Sequence, residues 1–362
     1  MKYDYLIVGA GLYGSIAARE LTDNGKRVLI IDKRSHIGGN CHTENVEGIT
    51  VHKYGPHIFH TSDKRVWDYM CKYAEFNHFS YRPKVNYKDN IFSFPINLLT
   101  LNQLYGVKTP EEAIDYFNMV KINIDNPVNL EDWMISQVGW DLYNIFIKGY
   151  TTKQWGREPS KLPASIIKRI PIRLTYDDNY YFDTYQGIPI GGYTPIFEKL
   201  LSGVDVLLDC DYFSDREYFN SLADIIIYTG SVDEFYDYKF GKLDYRSLEF
   251  KHEILPIKDY QGIAGMNYTD INIPYTRIIE HKHFEFGDQS NTIITKEYPT
   301  DIGDPYYPIS DGLNKVKYHQ YKQLMVNETN VIFGGRLADY VYYDMTDIVR
   351  KALEEFSGLK YL

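Results

Sequence analysis

The feature that most constrains the fold is a set of three spaced glycines near the start of the chain. Gly9, Gly11 and Gly14 follow a short apolar segment and precede a segment with helical periodicity. In a βαβ unit the first glycine permits a tight turn, the second lets the backbone approach a pyrophosphate, and the third lets helix and strand pack closely. The helix N-terminus adds partial positive charge. The motif therefore predicts a Rossmann-type, dinucleotide-binding α/β fold.

The residues after the glycines complete this unit. A helical segment and a predicted strand over 27–31 follow, and the strand ends at Asp32. An acidic residue at this position holds the adenosine ribose in folds of this kind. We therefore predict that Asp32, with Lys33 beside it, contacts the dinucleotide.

Two further glycine-rich segments favour FAD over NAD as the dinucleotide. The first continues from the second strand and includes Gly39 and Asn40. The second, Gly334-Gly335-Arg336, follows a predicted strand at Val331–Phe333 and supplies backbone N–H groups and a guanidinium. An extended cofactor needs contacts at several strand ends, whereas an NAD site rarely needs both segments.

Later segments predict that the nucleotide-binding domain is discontinuous. Strands predicted over 224–228 and at Val331–Phe333 return to the same sheet, and Thr346 is a candidate cap for the final helix. The predicted FAD-binding domain comprises 1–80, 191–242 and 315–362. The other predicted parts are a helical insertion over 98–160 and an antiparallel β-sheet domain over 81–97, 161–190 and 243–314.

The two inserted parts differ in their sequence patterns. Helical periodicity is clearest at 109–120 and 130–146. Segments rich in β-branched and aromatic residues, with turn signals between them, lie at 81–94, 186–190 and 245–298. We expect these last three segments to pair as an antiparallel sheet over the cofactor.

Charge and hydropathy narrow the class of protein. The chain has 362 residues and a formal net charge of −10, whereas nucleic-acid and membrane-surface binders need a cationic field. The start of the sequence lacks a signal-peptide pattern, and no apolar run is long enough to cross a bilayer. We therefore expect a cytoplasmic protein that neither binds nucleic acid nor inserts into membranes.

Neither the cysteines nor the histidines predict a metal site. The three cysteines are widely spaced, which fits reduced thiols better than disulfides or a CxxC site. His57 and His60 are three residues apart, but Pro56 disfavours a regular metal-binding helix and no third ligand cluster accompanies them. We therefore expect no bound metal.

Five longer motifs resemble those of bacterial UDP-galactopyranose mutases. They are YGPHIFHT at 54–61, GYTTKQWGR at 149–157, LPASIIKRIPIR at 162–173, DDNY at 177–180 and GRLADYVYYD at 335–344. The motifs occur in the order seen in the family, and the similarity runs essentially from end to end. The resemblance implies a flavin nucleotide fold with a helical insertion and an antiparallel sheet.

The resemblance also implies a reaction. Members of this family interconvert UDP-galactopyranose and UDP-galactofuranose through a covalent adduct of the sugar's anomeric carbon with N5 of reduced FAD, without net redox. The implied cofactor is FAD, active in its reduced form, and the implied partner is a nucleotide sugar, UDP-galactose. We also expect a homodimer or a higher homo-oligomer.

The matched motifs imply the roles of individual residues. Arg169 and Arg277 would act in catalysis by stabilising the charge that grows on the departing diphosphate, and His60 would lie near flavin N5. The implied substrate contacts are Tyr150, Trp155, Arg169, Tyr180, Arg277, Tyr307, Tyr342 and Asp344. The implied and predicted cofactor contacts are Gly9, Gly11, Gly14, Asp32, Lys33, Gly39, Asn40, His57 and Arg336. Trp155 lies in a segment that resembles the family's mobile lid, with Gly156 as a candidate hinge.

Three alternatives stay open from the sequence alone. The same mechanism could act on UDP-N-acetylgalactopyranose or a deoxyhexose nucleotide, since a pocket difference of one group often costs only about 1 to 3 kcal/mol. A flavin oxidase of the amine oxidase type shares the nucleotide motif, but gives no reason for the arginine pair. A protein that uses FAD only structurally is the third alternative, and the lid motif counts against it.

Overall fold

The structure is a computed structural model that describes residues 2–168 and 170–358. The strands, in chain order, are β1 (Tyr3–Val8), β2 (Val28–Ile31), β3 (Thr43–Val46), β4 (Ile49–His52), β5 (Phe59–Thr61), β6 (Lys84–Tyr87), β7 (Asn90–Ser93), β8 (Tyr185–Gly187), β9 (Asp205–Leu207), β10 (Ala223–Tyr228), β11 (Tyr245–Leu255), β12 (Gly265–Tyr268), β13 (Arg277–Glu280), β14 (Thr292–Thr300), β15 (Tyr307–Pro308) and β16 (Val331–Phe333). The helices are α1 (Leu12–Asp23), α2 (Lys64–Met70), α3 (Leu98–Tyr105), α4 (Pro110–Val120), α5 (Leu130–Leu142), α6 (Gly149–Trp155), α7 (Thr194–Leu200), α8 (Arg216–Ser221), α9 (Val232–Phe235), α10 (Gly312–Met325) and α11 (Met345–Phe356).

The described residues form two compact units. Unit 1 comprises 2–78, 183–245 and 305–358, and unit 2 comprises 79–168, 170–182 and 246–304. The sequence predicts three parts, with the helical insertion separate from the antiparallel sheet. The finer division within unit 2 therefore stays a prediction.

Unit 1 is built on a five-stranded parallel sheet with the strand order β16-β10-β1-β2-β9. Both faces of the sheet are covered, because Ile7 and its neighbour Leu6 on β1 belong to different apolar clusters and each is fully buried. Burial on both faces explains the continuous apolar runs of these strands. The predicted Rossmann-type fold is confirmed, with β1 and β16 at the predicted bounds.

Helices α1 and α11 pack on one face of this sheet. Ile16 and Ala17 of α1 lie in the same apolar cluster as Ile348 and Val349 of α11. The prediction that Thr346 caps α11 is wrong. The helix begins at Met345, so the preceding residue, Asp344, is the N-cap and has an extended backbone.

Unit 2 contains a second sheet, in which β11-β14-β13-β12-β6-β7 are neighbours in that order. Neighbouring strands in this order are antiparallel, except that β12 and β6 run parallel. Helices α3, α4 and α5 share its hydrophobic core: Val85 of β6 packs in one cluster with Leu101, Ala113 and Met134. One shared core explains why helices and sheet form a single compact unit.

Two predicted segments differ from the structure in a way that affects the site. The segment 186–190 was expected in the large antiparallel sheet, but β8 instead pairs with β5 in unit 1 as a two-stranded antiparallel ladder. The predicted helix over 130–146 is interrupted at Gly139, which has a φ of 76°. A Cβ at Gly139 would lie 2.6 Å from the carbonyl oxygen of Val120, so a neighbouring chain segment occupies the space that a side chain would need.

No helix among residues 2–168 and 170–358 is both long enough and apolar enough to span a membrane.

Candidate active site

The glycine turn of unit 1 has the geometry that a dinucleotide phosphate needs. Gly9 has a φ of 110°, and a Cβ on Gly14 would lie 2.1 Å from the carbonyl oxygen of Gly9. A Cβ on Gly11, by contrast, would meet no atom within 4 Å. The turn is thus tight on its protein side and open at Gly11, next to the N-terminus of α1. This arrangement fits a pyrophosphate at the helix N-terminus.

The second glycine segment lies directly against the first. A Cβ on Gly39 would lie 3.0 Å from Cα of Gly11, and the Gly38 N–H donates to the carbonyl of Ala10 at 2.8 Å. Asn40 accepts a hydrogen bond from Arg34 Nη1 at 3.0 Å. The structure therefore joins two glycine segments that the sequence could only place in the same domain.

Asp32 forms hydrogen bonds with the backbone next to each of these glycine segments. It is buried, its Oδ2 accepts from the Ala10 N–H at 2.7 Å, and its Oδ1 accepts from the Arg34 N–H at 2.9 Å. Each carboxylate oxygen can accept two hydrogen bonds, so capacity for a ribose hydroxyl is left. Lys33, the next residue, is exposed.

His60 is held by an acidic residue that the sequence analysis did not single out. Its Nδ1 lies 2.6 Å from Oδ2 of Asp183, and the other carboxylate oxygen accepts from Ser62 Oγ at 2.8 Å. The pairing of β5 with β8 places His60 opposite Gln186 and so brings Asp183 alongside. The only sequence signal for Asp183 was its place shortly after the DDNY motif.

His57 is fixed by its own backbone surroundings. Its Nδ1 lies 2.9 Å from the carbonyl oxygen of Gly55, and its backbone N–H donates to Nδ1 of His52 at 3.2 Å. His52 is buried, and burial, reinforced by the charge of His57, lowers its pKa to about 3. A ring nitrogen that accepts from a backbone N–H must be unprotonated, so the geometry also requires a neutral His52.

Three predicted residues contact one another in unit 1, after the end of β16 or packed against those that follow it: Arg336, Tyr342 and Tyr307. Arg336 donates from Nη2 to the carbonyl of Tyr343 at 2.7 Å, and its guanidinium lies 5.3 Å from the ring centre of Tyr342. The rings of Tyr342 and Tyr307 are stacked, with centres 5.3 Å apart. Asp344 follows as the N-cap of α11. The side chains of Arg336, Tyr342 and Tyr307 form one aromatic and cationic group in unit 1.

In unit 2, Arg277 is anchored by an ion pair with a neighbouring strand. Arg277 opens β13 and lies opposite Glu297 of β14, whose Oε2 is 2.9 Å from Arg277 Nε. The Glu297 side chain is 1% exposed, against 18% for Arg277. A buried carboxylate that binds Nε fixes the plane of the guanidinium. Glu297 was not predicted from the sequence.

Tyrosines surround this ion pair. Nη1 of Arg277 lies 3.5 Å from the hydroxyl of Tyr81, whose ring centre is 5.5 Å from that of Tyr180. Burial raises the pKa of Tyr150, and the charge of Arg277 opposes this rise. The structure therefore brings the predicted residues Arg277, Tyr150 and Tyr180 together and adds Tyr81 to them.

Trp155 is the last residue of α6, and the end of β12 with the loop that follows it holds the last turn of this helix through Lys153. Lys153 Nζ donates to four backbone carbonyls, those of Tyr268, Asp270, Ile273 and Tyr275, at 2.8 to 2.9 Å. Burial lowers the pKa of Lys153 to about 8, yet four carbonyl oxygens favour its charged form.

A second cation fixes the end of the same helix. Arg246 donates from Nε to the carbonyl of Gln154 at 2.9 Å and from Nη2 to that of Lys153 at 3.1 Å. Its guanidinium also pairs with Asp301 and lies 2.8 Å from where a Cβ of Gly156 would be. Gly156 has a φ of 62° and is the C-cap of α6, whose last carbonyls are bound by Arg246. The predicted hinge at this residue stays a prediction.

The predicted catalytic residue Arg169 lies outside the described residues. The remaining predicted site residues are described, and each unit holds a distinct subset. Unit 1 holds the predicted cofactor contacts with His60, Tyr307, Tyr342 and Asp344. Unit 2 holds Tyr150, Trp155, Tyr180 and Arg277.

Comparison with protein families gives two matches along the chain. The UDP-galactopyranose mutase family matches residues 145–342, and the NAD(P)-binding Rossmann-like domain matches residues 7–73. The second match covers both the first glycine turn and Asp32, which follows the end of β2. The first match covers Tyr150, Trp155, Arg277, Tyr307, Arg336 and Tyr342.

Solved structures show the same fold at low sequence identity. A crystal structure of reduced UDP-galactopyranose mutase aligns with a TM-score of 0.77 at 14% identity, covering 98% of this chain and 93% of that one. A redesigned putrescine oxidase aligns with a TM-score of 0.60 at 13% identity, covering 99% and 98%. The architecture is therefore one that mutases and flavin oxidases share, and the fold alone does not separate them.

Relatives with higher sequence identity distinguish the mutases from the flavin oxidases. A dTDP-fucopyranose mutase of Escherichia coli is 41% identical and covers 96% of this chain and 96% of its own length. A probable UDP-galactopyranose mutase of Klebsiella pneumoniae is 40% identical, with 96% and 92% covered. Full-length matches at this level, together with the family match, make this chain an FAD-binding isomerase of nucleotide sugars that belongs to the UDP-galactopyranose mutase family.

Proposed function

We propose that this chain interconverts UDP-galactopyranose and UDP-galactofuranose without net oxidation or reduction. The observation that carries the proposal is the anchored cation of unit 2, Arg277, ion-paired with the buried Glu297 and surrounded by tyrosines. A departing diphosphate needs a positive charge that is already oriented before the bond breaks. Arg277 has this property because the buried Glu297 binds its Nε and fixes the plane of the guanidinium.

FAD fits the two apposed glycine segments of unit 1, where Gly11 is open and Asp32 keeps acceptor capacity. When bound in its reduced form, FAD supplies N5 as a nucleophile for the anomeric carbon of the sugar. We propose that Gly9, Gly14, Lys33, Gly39, Asn40, His57 and Arg336 complete its binding site. Because Arg336 is already fixed by the Tyr343 carbonyl, it would contribute a positioned charge rather than a mobile one.

His60 is proposed to present its second ring nitrogen to the reacting centre. Asp183 binds Nδ1 and so orients the ring, and Nε2 is the nitrogen that we propose to face the ligand. A carboxylate in this position selects the tautomer and the orientation of an imidazole. His60 would thereby hold or move a proton at Nε2 while the sugar ring opens and closes.

The remaining predicted residues are proposed to bind the nucleotide sugar. Tyr180, Tyr307 and Tyr342 would contact the diphosphate through their hydroxyls, with Arg169 as the second cation, and Tyr150 would lie on the uridine side. Trp155 offers a flat face for stacking on the base, and Asp344 lies beside Tyr342. The enzyme is further proposed to be a cytoplasmic homo-oligomer, which light scattering and cell fractionation test.

A second candidate substrate is a deoxyhexose nucleotide. The observation that favours it is the 41% identity to a protein named dTDP-fucopyranose mutase, a value next to the 40% for a probable UDP-galactopyranose mutase. Since the two sugars differ by one hydroxyl and the bases by one methyl, pocket contacts worth about 1 to 3 kcal/mol would decide between them. Identity at this level does not rank the two substrates.

One experiment tests both the reaction and the substrate. The enzyme is reduced once with dithionite, freed of excess reductant under anaerobic conditions and supplied with UDP-galactopyranose, dTDP-fucopyranose or UDP-N-acetylgalactopyranose. We expect many furanose products per flavin from UDP-galactopyranose and none from the oxidised enzyme. One furanose product or fewer per flavin refutes the mechanism. A kcat/KM that is larger for dTDP-fucopyranose than for UDP-galactopyranose means that the mechanism is right but that the substrate is the dTDP sugar.

A further inference from the structure

A cluster of three metal-ligating side chains lies in unit 2, outside the residues used above. Asp259 lies in the loop between β11 and β12, Glu280 ends β13, and His283 lies in the turn after it. Their candidate ligand atoms all lie within 4.8 Å of one another. We propose that Asp259, Glu280 and His283 bind a divalent transition-metal ion of the Zn²⁺ type.

The distances match metal coordination better than hydrogen bonding. Nε2 of His283 lies 3.3 Å from Oε2 of Glu280 and 3.4 Å from Oδ2 of Asp259. Ligands about 2.1 Å from a tetrahedral Zn²⁺ lie about 3.4 Å from one another. Nε2 is buried and forms no hydrogen bond of suitable geometry with any residue of 2–168 or 170–358. One ion can therefore contact all three atoms once the exposed Asp259 side chain adjusts to it.

Both carboxylates are held in place by other groups. Glu280 is fully buried; Oε1 accepts from the Tyr260 N–H at 2.8 Å and the Thr292 hydroxyl at 2.7 Å, and Oε2 accepts from the Gln261 N–H at 2.9 Å. In Asp259, Oδ1 accepts from the Gly262 N–H at 2.6 Å, so Oδ2 is the oxygen left to face His283. Ligands fixed by such outer contacts lose little entropy when a metal binds.

The ligand types select the ion. One imidazole and two carboxylates suit Zn²⁺ and similar first-row ions, whereas Mg²⁺ and Ca²⁺ prefer sets made entirely of oxygen ligands. Three protein ligands leave a fourth position, and Asp259 lies at the surface, so water can occupy that position. The ion would tie the 259–262 loop to the end of β13.

The test uses the FAD-loaded enzyme after dialysis against a chelator. Zn²⁺ is titrated by calorimetry, and Co²⁺ is titrated by visible absorption, which distinguishes tetrahedral from octahedral coordination. We expect one equivalent to bind with a tetrahedral Co²⁺ spectrum and to raise the thermal midpoint. Asp259→Asn and His283→Gln should each weaken binding at least about tenfold while leaving the far-ultraviolet circular dichroism unchanged.

Two matched controls separate this site from unspecific binding. His319→Gln removes an exposed imidazole in α10, and Cys71→Ser removes the exposed thiol; neither should change the affinity. Absence of binding, an octahedral spectrum, or an affinity unchanged in both Asp259→Asn and His283→Gln overturns the proposal. Loss of binding in Cys71→Ser alone assigns the ion to the thiol and overturns it as well.

Discussion

Nδ1 of His60 lies 2.6 Å from Oδ2 of Asp183, although the two residues are 123 positions apart in the sequence. The pair forms because β5 and β8 align in an antiparallel ladder. Asp183 therefore acts as a positioning residue for a histidine of the proposed site.

Asp183→Asn should lower kcat by about one order of magnitude or more, because a neutral amide no longer selects the tautomer and orientation of the His60 ring. KM for the nucleotide sugar should change little. Steady-state assays of the reduced enzyme give kcat and KM separately. Ser62→Ala, which removes the other side-chain partner of Asp183, is the control, and equal kcat values for the two variants would remove Asp183 from this role.

Arg277→Met should reduce turnover on the order of a hundredfold or more, since it removes the oriented charge from the leaving diphosphate. It should also destabilise the fold by about 3 to 5 kcal/mol, because it leaves the buried carboxylate of Glu297 without its cation. Chemical denaturation and turnover assays measure the two effects separately.

The double variant Arg277→Met/Glu297→Met distinguishes stability from catalysis. Replacing both partners of a buried ion pair with apolar side chains is often neutral for stability. We expect stability to recover in the double variant while turnover stays low. Recovery of both would mean that Arg277 has a structural role alone.

Gly11→Val should release most of the bound flavin without unfolding the protein. A Cβ at Gly11 meets no protein atom within 4 Å, so the added side chain would occupy the space of the pyrophosphate rather than clash with the chain. The ratio of flavin to protein absorbance gives the result. Gly312→Val at the start of α10, where a Cβ also meets nothing, should keep the flavin; full flavin content in both variants would place the phosphates elsewhere.

Lys153→Met should destabilise the protein and weaken nucleotide-sugar binding together. It leaves four carbonyls between Tyr268 and Tyr275 without their ammonium donor, and each buried unsatisfied group costs about 1 to 3 kcal/mol unless water replaces the donor. Because the last of these carbonyls, that of Tyr275, lies two residues before Arg277, KM should rise as well. Thermal melts and KM values check this, with the exposed Lys148→Met as the control; a KM equal to that of the control contradicts the coupling.

Because His52 is buried, we expect the free energy of unfolding to decrease at acidic pH. Its pKa of about 3 in the folded state lies below the value of about 6.5 expected when unfolded. Between these values the unfolded state binds one more proton, so folding stability decreases as pH falls, by up to about 1.4 kcal/mol per pH unit. His52→Asn keeps an acceptor for the His57 N–H and should flatten this slope. His319→Gln, which changes an exposed histidine, should leave the slope unchanged and is the control. Denaturation at a series of pH values between 7 and 4 gives the slope for each variant. Equal slopes for wild type and His52→Asn would exclude His52 as the cause.

The sequence by itself determined the features that depend on neighbours along the chain. The glycine spacing, the apolar run of Tyr3–Val8 and the Thr109-Pro110 start of α4 have local causes, namely backbone freedom, strand burial and helix capping. These features predicted the nucleotide fold. Local patterns failed where a distant segment intervened, as at Gly139, whose helix is broken by the approach of Val120.

Only the tertiary structure decided which side chains act in pairs. Asp183 beside His60, Glu297 beside Arg277 and Gly39 against Gly11 each depend on strand pairing or chain packing between separated segments. Periodicity reports which face of a strand is buried, but not which residue of another strand lies opposite. Register and packing set that partner, and they follow from the whole hydrophobic core rather than from any one motif.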